Sequence, residues 1–264
     1  MCIRDRHSGM DILSSGISYI GLKVSKKPAD KEHPYGHYKA EVISGFIITI
    51  ILFTTGLGII YEALGSFINP KTVIVSYASL GVMILSAFLN EAMARMKISY
   101  GKKHGSISLI SDGVHSRVDV ITSIGVLIGV FVSKYFIQAD PIIAFLVGIY
   151  ILKESVSLGK EAVDSLLDVS AGEEVEDKIK KIIKESSVEL SDLKTQKRGP
   201  MITANIEIKL PSKLSVEEAT KISNKLRDKL LKNVENLDYV AIQIKSHNVS
   251  TNYFEPKETL SRLS

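Results

Sequence analysis

The chain has 264 residues, 45% apolar and 23% charged, with a formal net charge of +4 and a mean hydropathy of +0.16. Charges are sparse over long stretches of the first two thirds and dense in the last third, so two solvents are implied and a single compact soluble enzyme is excluded. The lone cysteine, Cys2, excludes a disulfide framework and a Cys-based zinc site, and 7% aromatics without Trp give nucleic-acid binding no support.

In chain order, residues 1–6 are charged and read as neither a signal peptide nor the outer half of a helix. Residues 12–24 are apolar but cover only about 20 Å as a helix, less than the roughly 30 Å a bilayer core requires. The expectation is an N-terminally truncated chain that lacks a first membrane helix and the outer part of a second. Four windows of spanning character follow, at residues 42–68, 73–93, 107–132 and 141–151 with its flanks. Asp140 is expected to cap the last of them, with Pro141 in its first turn. The segments after the first and third spans carry Lys23, Lys26, Lys27, Lys31 and Lys39, then Arg95, Lys97, Lys102 and Lys103. The other two connections hold Lys71 and Lys134. Nine cations against two place the Lys-rich side, and with it the C-terminal third, in the cytoplasm.

From residue 166 the pattern becomes that of a small α+β unit. Val175, Ile179, Ile182 and Ile183 share a helical face, and a strand is expected at 192–197. Ile202, Ala204, Ile206, Ile208 and Leu210 alternate with polar residues as a half-buried strand does. Ser215 and Glu218 form a capping box ahead of a helix with Val216, Ala219, Ile222, Leu226 and Leu230 inward, and Val240, Ile242 and Ile244 mark a last strand. The expected fold is an α-helical transmembrane bundle (1–165), an αββαβ cytoplasmic domain (166–247) that a dimer partner would help to stabilise, and a disordered tail (248–264). Asn248-Val249-Ser250 reads as a chance sequon.

Ionisable groups at membrane depth are retained for function by default. His7-Ser-Gly-Met-Asp11 and His115-Ser-Arg-Val-Asp119 each place an imidazole and a carboxylate at i and i+4, on one helix face. Together they supply two nitrogens and two oxygens, a four-coordinate set suited to a borderline divalent metal, zinc foremost. Two carboxylates neutralise one divalent cation, and protons compete for the same groups when the metal leaves. Arg117 points away from this face and is expected to pair with Glu62, Glu91 or Asp112 or to reach a water-filled cavity, the functional alternative being a charge that stands in for the metal when the site is empty. His104, beside Lys102 and Lys103, reads as a solvated loop residue.

With these motifs in place the chain resembles the cation diffusion facilitator family of metal/proton antiporters over nearly its whole length. The resemblance rests on the paired H-x-x-x-D motifs, on residues 28–41 (PADKEHPYGHYKAE), similar to that family's PxDxxHPYGHxKxE loop, on Asp112-x-x-His115-x-x-x-Asp119, on Ala139-Asp140-Pro141 and on the αββαβ domain. It implies a homodimeric secondary transporter in the plasma (inner) membrane that moves Zn2+, as substrate, out of the cytoplasm against protons, with His7, Asp11, His115 and Asp119 as metal ligands. Asp30, His33 and His37 correspond to a second metal site in some members, the alternative being a solvated turn shaped by Pro34 and Gly36. Lys39 and Asp168 resemble an ion pair that helps hold the dimer. Positions matching the binuclear zinc site of some relatives' cytoplasmic domains hold Ser191, Glu207, Ile244 and Ser246, with only His247 nearby, so no binuclear site is expected there. No P-loop or H-E-x-x-H run occurs, which leaves ATP-driven transport and metalloprotease chemistry without support. The alternatives are a membrane-anchored metal sensor or scaffold that does not transport, and a preference for Fe2+, Co2+, Cd2+ or Mn2+ over zinc.

Overall fold

The computed structural model describes residues 2–68, 77–132 and 138–246. Within these, the side chains of residues 2–12 and of scattered helix positions, among them Asp140, lie outside the description. Five helices come first: α1 (Cys2–Ser25), α2 (Lys39–Ile68), α3 (Tyr77–His104), α4 (Ile107–Val132) and α5 (Ala139–Leu166). A smaller region follows, ordered α6 (Glu173–Glu185), β1 (Glu189–Arg198), β2 (Met201–Leu210), α7 (Val216–Asn233) and β3 (Leu237–Ser246). The chain divides into two compact units, the first comprising Met1–Val169 with Lys197–Met201, the second the remainder.

In the helical unit α2 packs along α5 and α3 along α4, while α1 lies against both α2 and α4. The buried contacts are aliphatic: Leu52, Val118, Ile151 and Leu158 form one cluster, Val42, Ile107 and Ala162 another. Large apolar side chains such as Tyr61, Phe88 and Leu146 face outward, as expected of a surface solvated by lipid. Hydroxyls on α2 do not break it, because Thr49, Thr54, Thr55 and Ser66 donate to carbonyls one turn back. Among the described residues two helices, α2 and α5, contain windows apolar enough to cross a bilayer by composition. The α4 window is interrupted by Asp112, Arg117 and Asp119, and the start expected for the third span lies outside the described residues.

Several sequence expectations need correction. Helix α1 begins at Cys2, ahead of the apolar pattern, because no helix breaker separates the charged residues from it. Helix α3 continues to His104, so Arg95, Lys97, Lys102 and Lys103 are helical rather than loop residues, and the His104 ring stacks on Tyr100 one turn earlier. Helix α5 is capped at Gln138, with no side-chain bond, and Asp140 and Pro141 fall in its first turn.

In the second unit the sheet order is β1-β2-β3, with β2 and β3 parallel and a register shift between Ile202 and Thr203. Ile179, Ile182 and Ile183 of α6 and Leu226 and Leu230 of α7 cover Ala204, Ile206 and Ile208 of β2. The capping box forms as read: Glu218 N–H donates to Ser215 Oγ, and the Glu218 carboxylate accepts from the Ser215 amide. Val216 is exposed rather than inward, since the first helical residue lies ahead of the turn that meets the sheet. Ile244 is also exposed, and Lys245, on the opposite face of the strand, is buried with Nζ 3.2 Å from Glu207 Oε1. Central strand β2 is thus covered on both faces, with Thr203 and Glu207 buried as well. The tail from residue 247 lies outside the described residues.

Candidate metal centre

His115 and Asp119 lie one turn apart on α4, 2% and 7% exposed. The contacts that fix α4 against α1 lie just below them. Ser18 Oγ is 3.0 Å from Ser108 Oγ, and Ser14 Oγ donates to Asp112 Oδ1 at 3.0 Å. The two helices therefore run antiparallel, stepping four residues on each from one contact to the next. The next steps bring positions 11 and 115 level, then 7 and 119, because both helices repeat the spacing 4-3-4: 18, 14, 11, 7 on one and 108, 112, 115, 119 on the other. Positions 7 and 11 continue the face of α1 that Ser14 and Ser18 present to α4. The side chains of His7 and Asp11 themselves lie outside the described residues.

Asp112 ties three helices together. Besides Ser14 it accepts from Ser15 of α1 at 3.2 Å, and its Oδ2 is 2.8 Å from Lys97 Nζ of α3. Lys97 also lies 3.3 Å from Ser116 Oγ. The sequence reads Lys97 as one of several loop cations, and its role shows only once α3 is seen to continue past it to His104. Arg117 meets Glu91 of α3 at 3.8 Å, and Glu91 also holds Arg95 at 2.7 Å.

The loop between α1 and α2 gathers a second set. His33 Nδ1 lies 3.3 Å and His37 Nε2 3.5 Å from oxygens of Asp30, and the two rings are 4.4 Å apart. One ligand atom from each residue falls within 4.8 Å of the others. Ligands around a tetrahedral ion with bonds of about 2.05 Å stand roughly 3.3 Å apart, close to the two Asp30 separations. The loop is shaped locally: Asp30 accepts from the amides of Glu32 and His33, and Gly36 takes a positive φ of 82°. The His33 amide bond, ahead of the two imidazoles, holds the Asp30 carboxyl below its ordinary range despite partial desolvation. His37 Nδ1 is buried with no hydrogen bond among the described residues. The cluster opens on a cleft of about 670 Å³ lined by Glu32, Tyr35, Lys39 and Ile43.

Lys39 Nζ, at the start of α2, lies 2.9 Å from Asp168 and donates to the Leu166 carbonyl at 3.2 Å, which caps the end of α5. Asp168 occupies the left-handed region just past that helix, at φ 59°.

Comparison with known proteins gives two family matches. Residues 6–167 match the cation efflux transmembrane domain and residues 167–247 the cation efflux protein cytoplasmic domain. An uncharacterised transporter, MJ0449 of Methanocaldococcus jannaschii, is 32% identical over 90% of this chain and 86% of its own length. The manganese efflux system protein MneP of Bacillus subtilis is 27% identical over 90% and 83%, and the cation-efflux pump FieF of Shewanella oneidensis 27% over 81% and 73%.

Proposed function

The chain belongs to the cation efflux, or cation diffusion facilitator, family, a membrane transporter domain followed by a cytoplasmic domain, and on that premise we propose that it exports a divalent metal in exchange for protons. His7, Asp11, His115 and Asp119 bind the ion between α1 and α4, and alternating access exposes them to each side in turn. The observation that carries this reading is the antiparallel register of α1 and α4, fixed by Ser18–Ser108 and Ser14–Asp112, whose continuation aligns the two H-x-x-x-D motifs. Two imidazole nitrogens complete the donor set, two carboxylates neutralise the bound cation, and protons replace it as it leaves. The working unit is a homodimer assembled through the cytoplasmic domain in the plasma (inner) membrane. Asp30, His33 and His37 form a second, cytoplasmic metal site whose open face gives fast exchange, and the Lys39–Asp168 ion pair helps hold the dimer.

Zinc is the substrate that the N2O2 donor set favours. Manganese is the second reading, because two similar proteins, MneP and MneS of Bacillus subtilis, are named for its efflux. Vesicles containing the reconstituted protein and a pH-sensitive dye test both. Metal uptake is expected with opposed proton movement, and both are expected to vanish in His115→Ala and Asp119→Ala. Undiminished flux in the two variants would remove these residues from the mechanism.

A further inference from the structure

Below the level of His115, among the described residues, buried polar side chains concentrate on one seam. Ser14 and Ser18 of α1, Glu41 and Ser44 of α2, and Ser106, Ser108, Ser111 and Asp112 at the start of α4 are each at most 6% exposed. Serines are ordinary packing residues between membrane helices, but a carboxylate such as Glu41 costs free energy to bury there. The polar groups of the seam are stacked in layers about one helical turn apart. The layer at the first turn of α2 holds Glu41, hydrogen-bonded to Ser106, with its Oε1 buried and without a hydrogen bond among the described residues. The next holds three hydroxyls in a row. Ser44 Oγ lies 2.9 Å from Ser108 Oγ, which lies 3.0 Å from Ser18 Oγ, and Ser44 donates onward to the Glu41 carbonyl at 2.7 Å. Above them come Asp112 with Ser14, and Ser111, whose buried hydroxyl has no hydrogen bond among the described residues.

This arrangement is closed. A Cβ added at Gly21 would sit within 1.9 Å of Ser44 Oγ, and one at Gly45 within 3.0 Å of Ile107 and Ser108, so no ion passes between α1, α2 and α4 as they stand. It is closed by hydroxyls, however, and a hydroxyl contact exchanges with water at little net cost. The seam also joins the helix pairs: Ser44 belongs to α2, which packs along α5, and Ser108 to α4, which packs along α3.

We infer that the seam between α1, α2 and α4 is the cytoplasmic route by which the metal reaches His115 and Asp119, gated by the Ser18–Ser44–Ser108 layer and with Glu41 as the carboxylate that receives the ion at its mouth. The inference rests on the transport reading above. When the layer hydrates, the ion passes from Glu41 along hydroxyl oxygens to the level of Asp112 and His115, one oxygen-lined turn at a time.

Cysteine accessibility tests this, since the chain has one native cysteine, removed by Cys2→Ser. In membranes holding the full chain, Ser44→Cys and Ser108→Cys are expected to react with a membrane-impermeant thiol reagent applied to the cytoplasmic face. Saturating Zn2+ or Mn2+ is expected to change their rates, and Thr54→Cys, on the exposed face of α2, is expected not to react. In transport, Glu41→Gln is expected to raise the half-saturating metal concentration several-fold while equilibrium affinity at the membrane site is retained. Wild-type vesicles without metal flux would sink the transport reading and this inference with it. Flux in both cysteine variants with neither labelled, or an unaltered half-saturation in Glu41→Gln, would overturn the route alone.

Discussion

Asp112 is the residue on which the helical unit turns, since one buried carboxylate collects two hydroxyls from α1 and the ammonium of Lys97 from α3. Removing one member of a buried pair leaves the other charge without compensation, at a typical cost of about 3 kcal/mol, whereas replacing both by apolar groups is often neutral. Asp112→Leu and Lys97→Met are each expected to lower the thermal midpoint in detergent, and the double variant to recover most of it. Additive losses would show that the two do not act as a pair. The sequence displayed the D-x-x-H-x-x-x-D spacing that includes Asp112, yet not its partner. Lys97 reads as a loop cation because its neighbours are basic, and only the continuation of α3 to His104 brings it beside α4.

At the scale of elements, the register of α1 and α4 was present in the sequence as two 4-3-4 ladders of polar residues. It became readable once two hydrogen bonds fixed which rungs meet. Periodicity also located β1, β2, α6 and α7, because each has one face on a common core. It did not show that the other face is covered as well: Ile244 keeps its register beside Ile208, and Lys245 on the opposite face is buried against Glu207. The capping box needed no tertiary context, being local chemistry. Ser215→Ala is expected to cost about 1 kcal/mol of the cytoplasmic domain's stability by denaturant titration, with little effect on metal transport.

For the molecule as a whole, the two units answer to different solvents, and the acid sensitivity of the second can be read from its buried ion pair. In the cytoplasmic domain Lys209 lies directly opposite Lys245 across the parallel pair, and the like charges are tolerated because Lys209 turns to Glu189 at 2.8 Å and Lys245 to Glu207. The Ser191 hydroxyl, and after it Lys245, holds the Glu207 carboxyl below its ordinary value of 4.5 against the desolvation that would raise it. A depressed folded-state pKa contributes stability that is complete above the unfolded value and is lost as pH falls through the folded one. The domain's unfolding free energy is therefore expected to fall on acidification below about pH 4.5. Glu207→Gln is expected to weaken it near neutral pH and flatten that acid slope, and an unchanged slope would remove the pair from the balance.

Both H-x-x-x-D motifs read His then Asp, and the helices that carry them run in opposite directions, so level with each carboxylate position stands an imidazole position on the other helix. The pairs 11 with 115 and 7 with 119 are related by a local two-fold axis lying in the plane of the membrane. An ion arriving from the cytoplasm and one arriving from outside then meet the same order of donors, nitrogen and oxygen together at the first level and again at the second. On the proposed reading the site has no built-in forward sense. The direction of net movement is written in the gradients of metal and protons on the two sides, and the same molecule run under reversed gradients is an importer.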